Sequence, residues 1–296
     1  MIALQNTQNT QYIQIANITF RLSYDLVMKT EIFSQNIRPF IVFESGQDIV
    51  DVHYFIKLPK QKEQSYGTLV YEHTPWRIYQ GSEGWIYIGF VKDPTVPYFQ
   101  IVRISADYRK INVYFPNSNV FASGDLQSMV FTPTDQIILA PILAERQACL
   151  VHSAGLIFNG AGLLFVGHSE AGKSTMVKLL RDESEILCDD RIILRRWPDG
   201  IKIHGTWSHG EIEDVSPASA PLRALLFLEK APHNALVPMT PGEVARALPQ
   251  YVIKALAGRE WWMKTLDLVE HVAREVPAYR VQFDKSGAIK ELLRQL

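Results

Sequence analysis

Cysteine is scarce. There are two in 296 residues, Cys149 and Cys188, both in apolar surroundings. So few thiols exclude a disulfide-built secreted domain and offer no spacing for a structural metal site, so both read as buried free thiols of a reducing compartment. Charge imbalance is missing too. The formal net charge is −1, which gives no electrostatic case for nucleic acid or an anionic membrane as partner. No apolar run approaches the length that spans a bilayer. Residues 1–19 are rich in Gln and Asn, with no basic start ahead of an apolar core. That pattern predicts no secretory signal and a cytoplasmic chain. No internal repeat or low-complexity tract stands out. What remains is 47% hydrophobic and 21% charged, the composition of a globular protein with a sizeable core, in a length that suits one large domain or two ordinary ones.

The two halves differ in pattern. Residues 1–130 hold many short runs rich in β-branched and aromatic residues, at 12–15, 18–22, 39–43, 52–58, 68–71, 76–79, 85–90, 100–104 and 110–115. Close spacing and turn-rich connections, such as Gln80-Gly81-Ser82-Glu83-Gly84, predict an antiparallel meander. The aromatics read as core and cross-strand packing rather than a ligand face. Residues 116–133 read as a connection. Residues 135–148 then predict a helix bent near Pro141. From Leu150 the pattern becomes strand (150–158), an Asn159-Gly160 hairpin turn, strand (162–166), a glycine-rich loop and a helix. Further strands are expected at 185–188, 191–195, 222–228 and 279–283. Helices are expected at 241–257, broken or bent at Pro249, from the Trp261-Trp262 segment to about Arg274, and at 286–296. The fold class expected is mixed α+β and α/β: a β-rich unit over 1–130 and a phosphate-loop unit over 131–296.

The glycine-rich loop is Gly167-His168-Ser169-Glu170-Ala171-Gly172-Lys173-Ser174-Thr175. It fits G-x-x-x-x-G-K-S between a strand and a helix, the context that gives the motif meaning. Glycines let backbone N–H groups turn toward a phosphate, and the first turn of a helix favours negative charge. Lys173 would reach the terminal phosphates, and the Ser174 hydroxyl would ligate Mg²⁺. One helix and one apolar strand later stand Asp189 and Asp190. A carboxylate there can hold Mg²⁺ directly or through water, and a second can take the proton of an attacking hydroxyl. Strand alternation sends neighbouring side chains to opposite faces, so both reach the phosphate only if the backbone bends.

The stretch from His152 through Ser174, followed by Asp189-Asp190, resembles the catalytic domain of the HPr kinase/phosphorylase family. The resemblance covers roughly 145–230, more loosely the rest to Leu296, and extends to the phosphoenolpyruvate carboxykinases, which share this type of loop. A closer resemblance than to the bifunctional HPr enzymes is to the group of HPr-kinase-like proteins often associated with peptide-modifying gene clusters. The resemblance implies ATP and Mg²⁺ as cofactors. It places His152 near the transferred phosphate, Lys173 on the β- and γ-phosphates, Ser174 on Mg²⁺ and Asp190 as proton acceptor. Asp189 would support Asp190 or the metal. On its own pattern, His152 reads equally well as a satisfied core histidine.

The chain also departs from the HPr enzymes. Around Ile201-Lys202-Ile203-His204-Gly205, a lysine stands where the family has a metal-binding glutamate and a histidine stands where it has an arginine. The family's later Asp-Arg loop has no clear counterpart after Glu229. These differences count against HPr as substrate and against phosphorylase activity. Glu211 is a candidate for the missing carboxylate, with a plain surface glutamate as the competing reading. Arg223, just before a buried strand, is a candidate phosphate contact or a surface arginine.

The leading expectation is an ATP-dependent kinase that phosphorylates a hydroxyl, serine of a protein or peptide. A non-catalytic nucleotide-binding regulatory module is the alternative, and a carboxykinase the third reading. Partners expected are the nucleotide and a protein or peptide acceptor, with no nucleic acid and no membrane. HPr enzymes form hexamers, so the resemblance allows a homo-oligomer. The β-rich unit is expected to bind the acceptor or serve assembly, with structural support as an equal competitor.

Overall fold

The computed structural model describes residues 10–24, 32–60, 65–90, 99–122, 126–129, 134–284 and 286–296. The chain forms two compact units, 1–135 and 136–296.

The first unit is one nine-stranded sheet. Its strands are β1 (Thr10–Ile15), β2 (Ile18–Tyr24), β3 (Ile41–Val42), β4 (Ile49–Phe55), β5 (Thr68–His73), β6 (Trp76–Gly81), β7 (Gly84–Gly89), β8 (Gln100–Ser105) and β9 (Lys110–Tyr114), in the order β3-β1-β2-β4-β9-β8-β7-β6-β5. From β5 to β9 each strand runs antiparallel to the next, as a meander should. The expectation of an all-antiparallel meander fails at β4, which is parallel to both β2 and β9. Parallel neighbours need a longer crossover than a tight turn provides, and a 3₁₀ turn (Arg38–Phe40) and β3 lie between β2 and β4. That 3₁₀ turn also replaces most of the strand expected at 39–43, because Pro39 suits a first helical turn, where its missing N–H is no loss. The aromatics do pack as core. Tyr54 stacks on Tyr24 at 5.0 Å, and Phe121, in the one-turn helix α1 (Asn119–Ala122), sits edge-on to Tyr54 and Phe115.

Helix α2 (Thr134–Ala144) carries Pro141 within it and ends earlier than expected, since Ala148 already belongs to the next strand. The second unit then has β10 (Ala148–Phe158), β11 (Ala161–Val166), α3 (Lys173–Leu180), β12 (Ser184–Cys188), β13 (Arg191–Trp197), β14 (Gly200–His204), β15 (Ser219–Lys230), β16 (Ala235–Pro238), α4 (Pro241–Ala247), α5 (Arg259–Glu275), β17 (Ala278–Phe283) and α6 (Ile289–Leu293). Asn159 and Gly160 take φ of 50° and 76°, which are the two left-handed positions of a type I′ turn between β10 and β11.

Two strands switch partners. β10 pairs β13 through His152, then from Ser153 onward pairs β11, with β12 on its other edge. β15 first pairs β14, then lies parallel to both β11 and β17. β11 and the middle of β15, Ala224–Phe227, are buried on both faces, as parallel strands are, whereas β17 is buried through Ala278, Val281 and Phe283. Leu163 and Phe165 face Met176, Val177 and Leu180 of α3. Leu164 and Val166, one residue out of phase, face Val244 of α4 and Leu268 and Val272 of α5. This sandwich fixes where β11 ends, and the loop begins at its carboxyl end, the usual ligand side of such a sheet.

Three sequence expectations need correction here. The helix expected over 241–257 stops at Ala247 and passes into a 3₁₀ turn, Leu248–Gln250, because Pro249 cannot donate to a fourth-residue ladder. The closing helix spans only Ile289–Leu293. Strand β16 was not expected: it is four residues long and ends in proline, a composition tolerated on a sheet edge. Among the described residues no helix is long and apolar enough to cross a membrane.

Candidate active site

The loop between β11 and α3 takes a demanding backbone. Glu170 has φ 65° and Gly172 φ 109°. At Gly172 a side chain is excluded twice, by the left-handed backbone and by the Phe283 ring 2.6 Å from where a Cβ would stand. Phe283 ends β17, so the core itself presses on the loop. Ala171 N donates to His168 O, and Met176 N to Gly172 O, which starts α3. His168, Ser169, Glu170 and Thr175 are exposed, Ser174 is half-buried and Gly167 is buried.

Lys173 is the first residue of α3 and is buried. Its Nζ lies 3.0 Å from His152 Nε2 and donates to Gly167 O at 2.9 Å and His168 O at 3.1 Å. Burial lowers the pKa of this ammonium, against the upward pull of Asp190 and Asp189. His152 stands at the last residue of β10 that pairs β13, one position before Ser153 pairs Val166. Its N–H donates to Tyr251 O at 2.8 Å, and its Nδ1 lies 3.1 Å from Asp190 Oδ1. The other Asp190 oxygen accepts from Arg191 at 2.5 Å. Burial would raise the Asp190 pKa, but the hydrogen bond from His152 and the charges of Arg191 and Lys173 outweigh it and leave it lowered.

The backbone does bend at the acidic pair, and it sends the two carboxylates to different tasks. Asp190 joins His152. Asp189 is buried, and its oxygens accept from the backbone N–H groups of Gly210, at 2.5 Å, and Ile212, at 3.0 Å. It therefore clasps the loop over 205–216 to the end of β12. Cys188 organises the same turn. Its thiol donates to Ser208 O, and its sulfur receives the N–H groups of Asp190 and Arg191. Burial pushes that thiol up to about 11. Both cysteines are free and buried.

The remaining candidates separate from this cluster. Glu211 is exposed, and among the described residues its carboxylate pairs with Lys178 of α3, at 3.3 Å, rather than with Lys173, His152 or Asp190. Arg223 does not contact the loop. It lies between Leu222 and Ala224, which pair with Gly162 and Leu163 at the start of β11, and its guanidinium donates to Leu296 O at 2.6 Å. His204 is buried under the Trp197 indole N–H, and its pKa is lowered to about 4 by burial and by Arg195 and Lys202.

Three residues of the site escaped the sequence reading. Arg191 faces His152 directly across the β10–β13 pairing. Tyr251 supplies a carbonyl to His152, and its ring lies 4.8 Å from that of His168. Cys188 builds the Asp turn. Arg191 and Cys188 had a signal, their place on either side of the Asp pair; the Tyr251 contact arises from tertiary pairing alone. Beside Tyr251 opens a cleft of about 440 Å³, lined among others by Phe227, Glu229, Met239, Arg246 and Gln250.

Fold and site together define a mixed α/β protein with a G-x-x-x-x-G-K-S loop at the carboxyl end of a buried parallel strand. A family model described as "SynChlorMet cassette protein ScmC" matches residues 122–296. That is more than half of the 296 residues, and the chain belongs to this family. No curated protein matches it. Among solved structures, the chain is similar to the HPr(Ser) kinase/phosphatase from Coxiella burnetii, at 12% identity and a TM-score of 0.32, over 50% of this chain and 87% of that one.

Proposed function

We propose that the chain is an ATP-dependent kinase that moves the γ-phosphoryl group to a hydroxyl, serine of a protein or peptide. The observation that carries this reading is the junction of Lys173, His152 and Asp190 at the mouth of the loop. A loop that cradles phosphate needs only the first of these. An imidazole and a carboxylate linked to that lysine add the means to move a proton. Phosphoryl transfer asks a protein mainly for positioning, charge neutralisation and such a proton acceptor. The cleft beside Tyr251 leaves room for part of a substrate next to the loop.

Mg²⁺ would arrive on the nucleotide. Among the described residues no cluster of three or more His, Cys, Asp or Glu could hold a metal, and a phosphate-bound Mg²⁺ does not need one, since one or two protein oxygens complete its shell. The Ser174 hydroxyl and Asp189, whose oxygens each accept one backbone N–H and keep lone pairs to spare, would supply them. Bound there, the ion would neutralise charge on the phosphates.

The second reading, a regulatory module that binds nucleotide without catalysis, is favoured by one observation: Asp189 already serves as a structural clasp. Calorimetry with ATP and Mg²⁺, run beside an assay of γ-phosphate release and transfer, separates the two. Binding together with release or transfer supports the kinase. Binding with neither supports the module, and no binding removes both.

A further inference from the structure

The hydrogen-bond chain through His152 fixes where its protons sit. A lysine ammonium has three hydrogens and no lone pair. Lys173 Nζ has three acceptors around it: Gly167 O, His168 O and His152 Nε2. Nε2 therefore presents its lone pair. On the other side of the ring, Asp190 can only accept, so Nδ1 carries the hydrogen and donates it to Oδ1. An imidazolium would set an N–H against the ammonium. The free protein thus holds His152 neutral, as the Nδ1–H tautomer, with its basic nitrogen covered by Lys173. The charged groups facing the ring are Lys173, Asp190 and, through Asp190, Arg191.

Asp190 is differently placed. Oδ1 receives His152 and Oδ2 receives Arg191, and Arg191 stands opposite His152 in register, so both grips come from one strand pair. Each oxygen keeps a lone pair, yet one is bonded to an imidazole N–H and the other to a guanidinium, which makes both poor proton acceptors. The carboxylate is arranged to hold the imidazole, the task of the third member of a nucleophile–base–orienter set.

We propose that His152, rather than Asp190, is the proton acceptor for the attacking hydroxyl, and that Lys173 keeps it covered until nucleotide draws the lysine away. The proposal rests on the kinase reading above. A terminal phosphate competes for Lys173 with neutral acceptors, and a charged acceptor makes the stronger bond. As Lys173 turns to the phosphate, Nε2 is uncovered about one hydrogen-bond length from where the lysine stood. The acceptor O–H proton passes to Nε2, the acceptor oxygen bonds to phosphorus, and the bond from phosphorus to the nucleoside diphosphate oxygen breaks. Asp190 steadies the imidazolium, with Arg191 fixing Asp190. Without nucleotide the base stays covered. His152 is then a catalytic residue, and Asp190 and Arg191 are positioning residues.

The test uses the full chain labelled with ¹⁵N-histidine and long-range ¹H–¹⁵N NMR. The chain has 8 histidines, and the His152→Gln spectrum identifies the resonance. The expected result is a neutral Nδ1–H ring in the free protein, with a change centred on Nε2 when a non-hydrolysable ATP analogue and Mg²⁺ are added. Phosphate release from ATP, with water as acceptor, is measured in parallel. His152→Gln should lower it by about two to four orders of magnitude, the range for a positioned base, with little change in analogue affinity. Asp190→Asn should lower it too, because the imidazolium formed in transfer then lacks its counter-charge. An Nε2–H ring or an imidazolium in the free wild-type protein overturns the proposal. So does a His152→Gln variant that keeps its turnover, or an analogue that binds and leaves Nε2 unchanged. An analogue that shifts no resonance at all removes the nucleotide reading itself, and the proposal with it.

Discussion

His204 shows how a single buried side chain ties stability to pH. It sits in β14 beneath Trp197, with Arg195 and Lys202 nearby, and its pKa is lowered from 6.5 to about 4. In the unfolded chain it binds a proton near pH 6.5; in the folded protein it resists until about pH 4. The unfolded state therefore takes up the extra proton in that window. Stability is intact above pH 6.5 and falls as pH drops toward 4, by up to roughly 3 kcal/mol for a shift of this size. Urea unfolding at about pH 7 and about pH 4.5 should show this loss in the wild-type protein, and His204→Gln should show a smaller one, because an amide does not titrate in that range. Equal pH sensitivity in both proteins would mean that His204 is hydrated or paired in a way the fold does not show. The lysine-for-glutamate and histidine-for-arginine departures at Lys202 and His204 thus have a physical sense: His204 is core, and Lys202 pairs with Asp199 at 2.7 Å.

At the scale of elements, the site depends on three joints: β11 into α3, the partner switch in β10, and the clasp between the end of β12 and the 205–216 loop. The clasp can be tested separately from the chemistry. Asp189→Asn would turn an amide NH₂ toward one of the two backbone N–H groups now held by carboxylate oxygen. A lost buried hydrogen bond with its partner left unsatisfied costs about 1–3 kcal/mol, so thermal unfolding should show a lower midpoint for Asp189→Asn. Asp190→Asn should change stability less, since its side chain is partly open. A larger stability loss for Asp190→Asn would reverse the roles assigned to the pair. The first joint was legible in the sequence, because strand, glycine loop and helix are local and the Asn159-Gly160 turn fixes what precedes them. The Asp pair was legible as a place, but its division of labour was not, because it follows from amides 21 and 23 residues downstream of Asp189. Arg191 and Tyr251 meet His152 only through the β10–β13 pairing and the chain after α4. In the first unit the meander β5–β9 was legible from turns, whereas the parallel placement of β4 depends on a crossover that no local pattern records. Arg223 misled for the same reason: its distance from the loop is set by the parallel register of β15 against β11.

At the scale of the whole molecule, every residue the proposed chemistry uses lies in 136–296, and the first unit is a sheet packed on its own aromatics. We expect a truncation starting at Gln136 to keep nucleotide binding and lose transfer to the physiological acceptor. Calorimetry with an ATP analogue beside a transfer assay checks both halves, and undiminished transfer would remove the acceptor-binding role from the first unit. In the proposed function the loop handles nucleotide phosphates through Lys173. Its most direct test is γ-phosphate release from ATP with Mg²⁺, compared between the wild-type protein and Lys173→Ala. Measurable release by the wild-type protein and near-complete loss in the variant are expected, since the cation that would face the terminal phosphates is gone while the other members of the loop remain. Lys173→Ala turning over at the wild-type rate would contradict it.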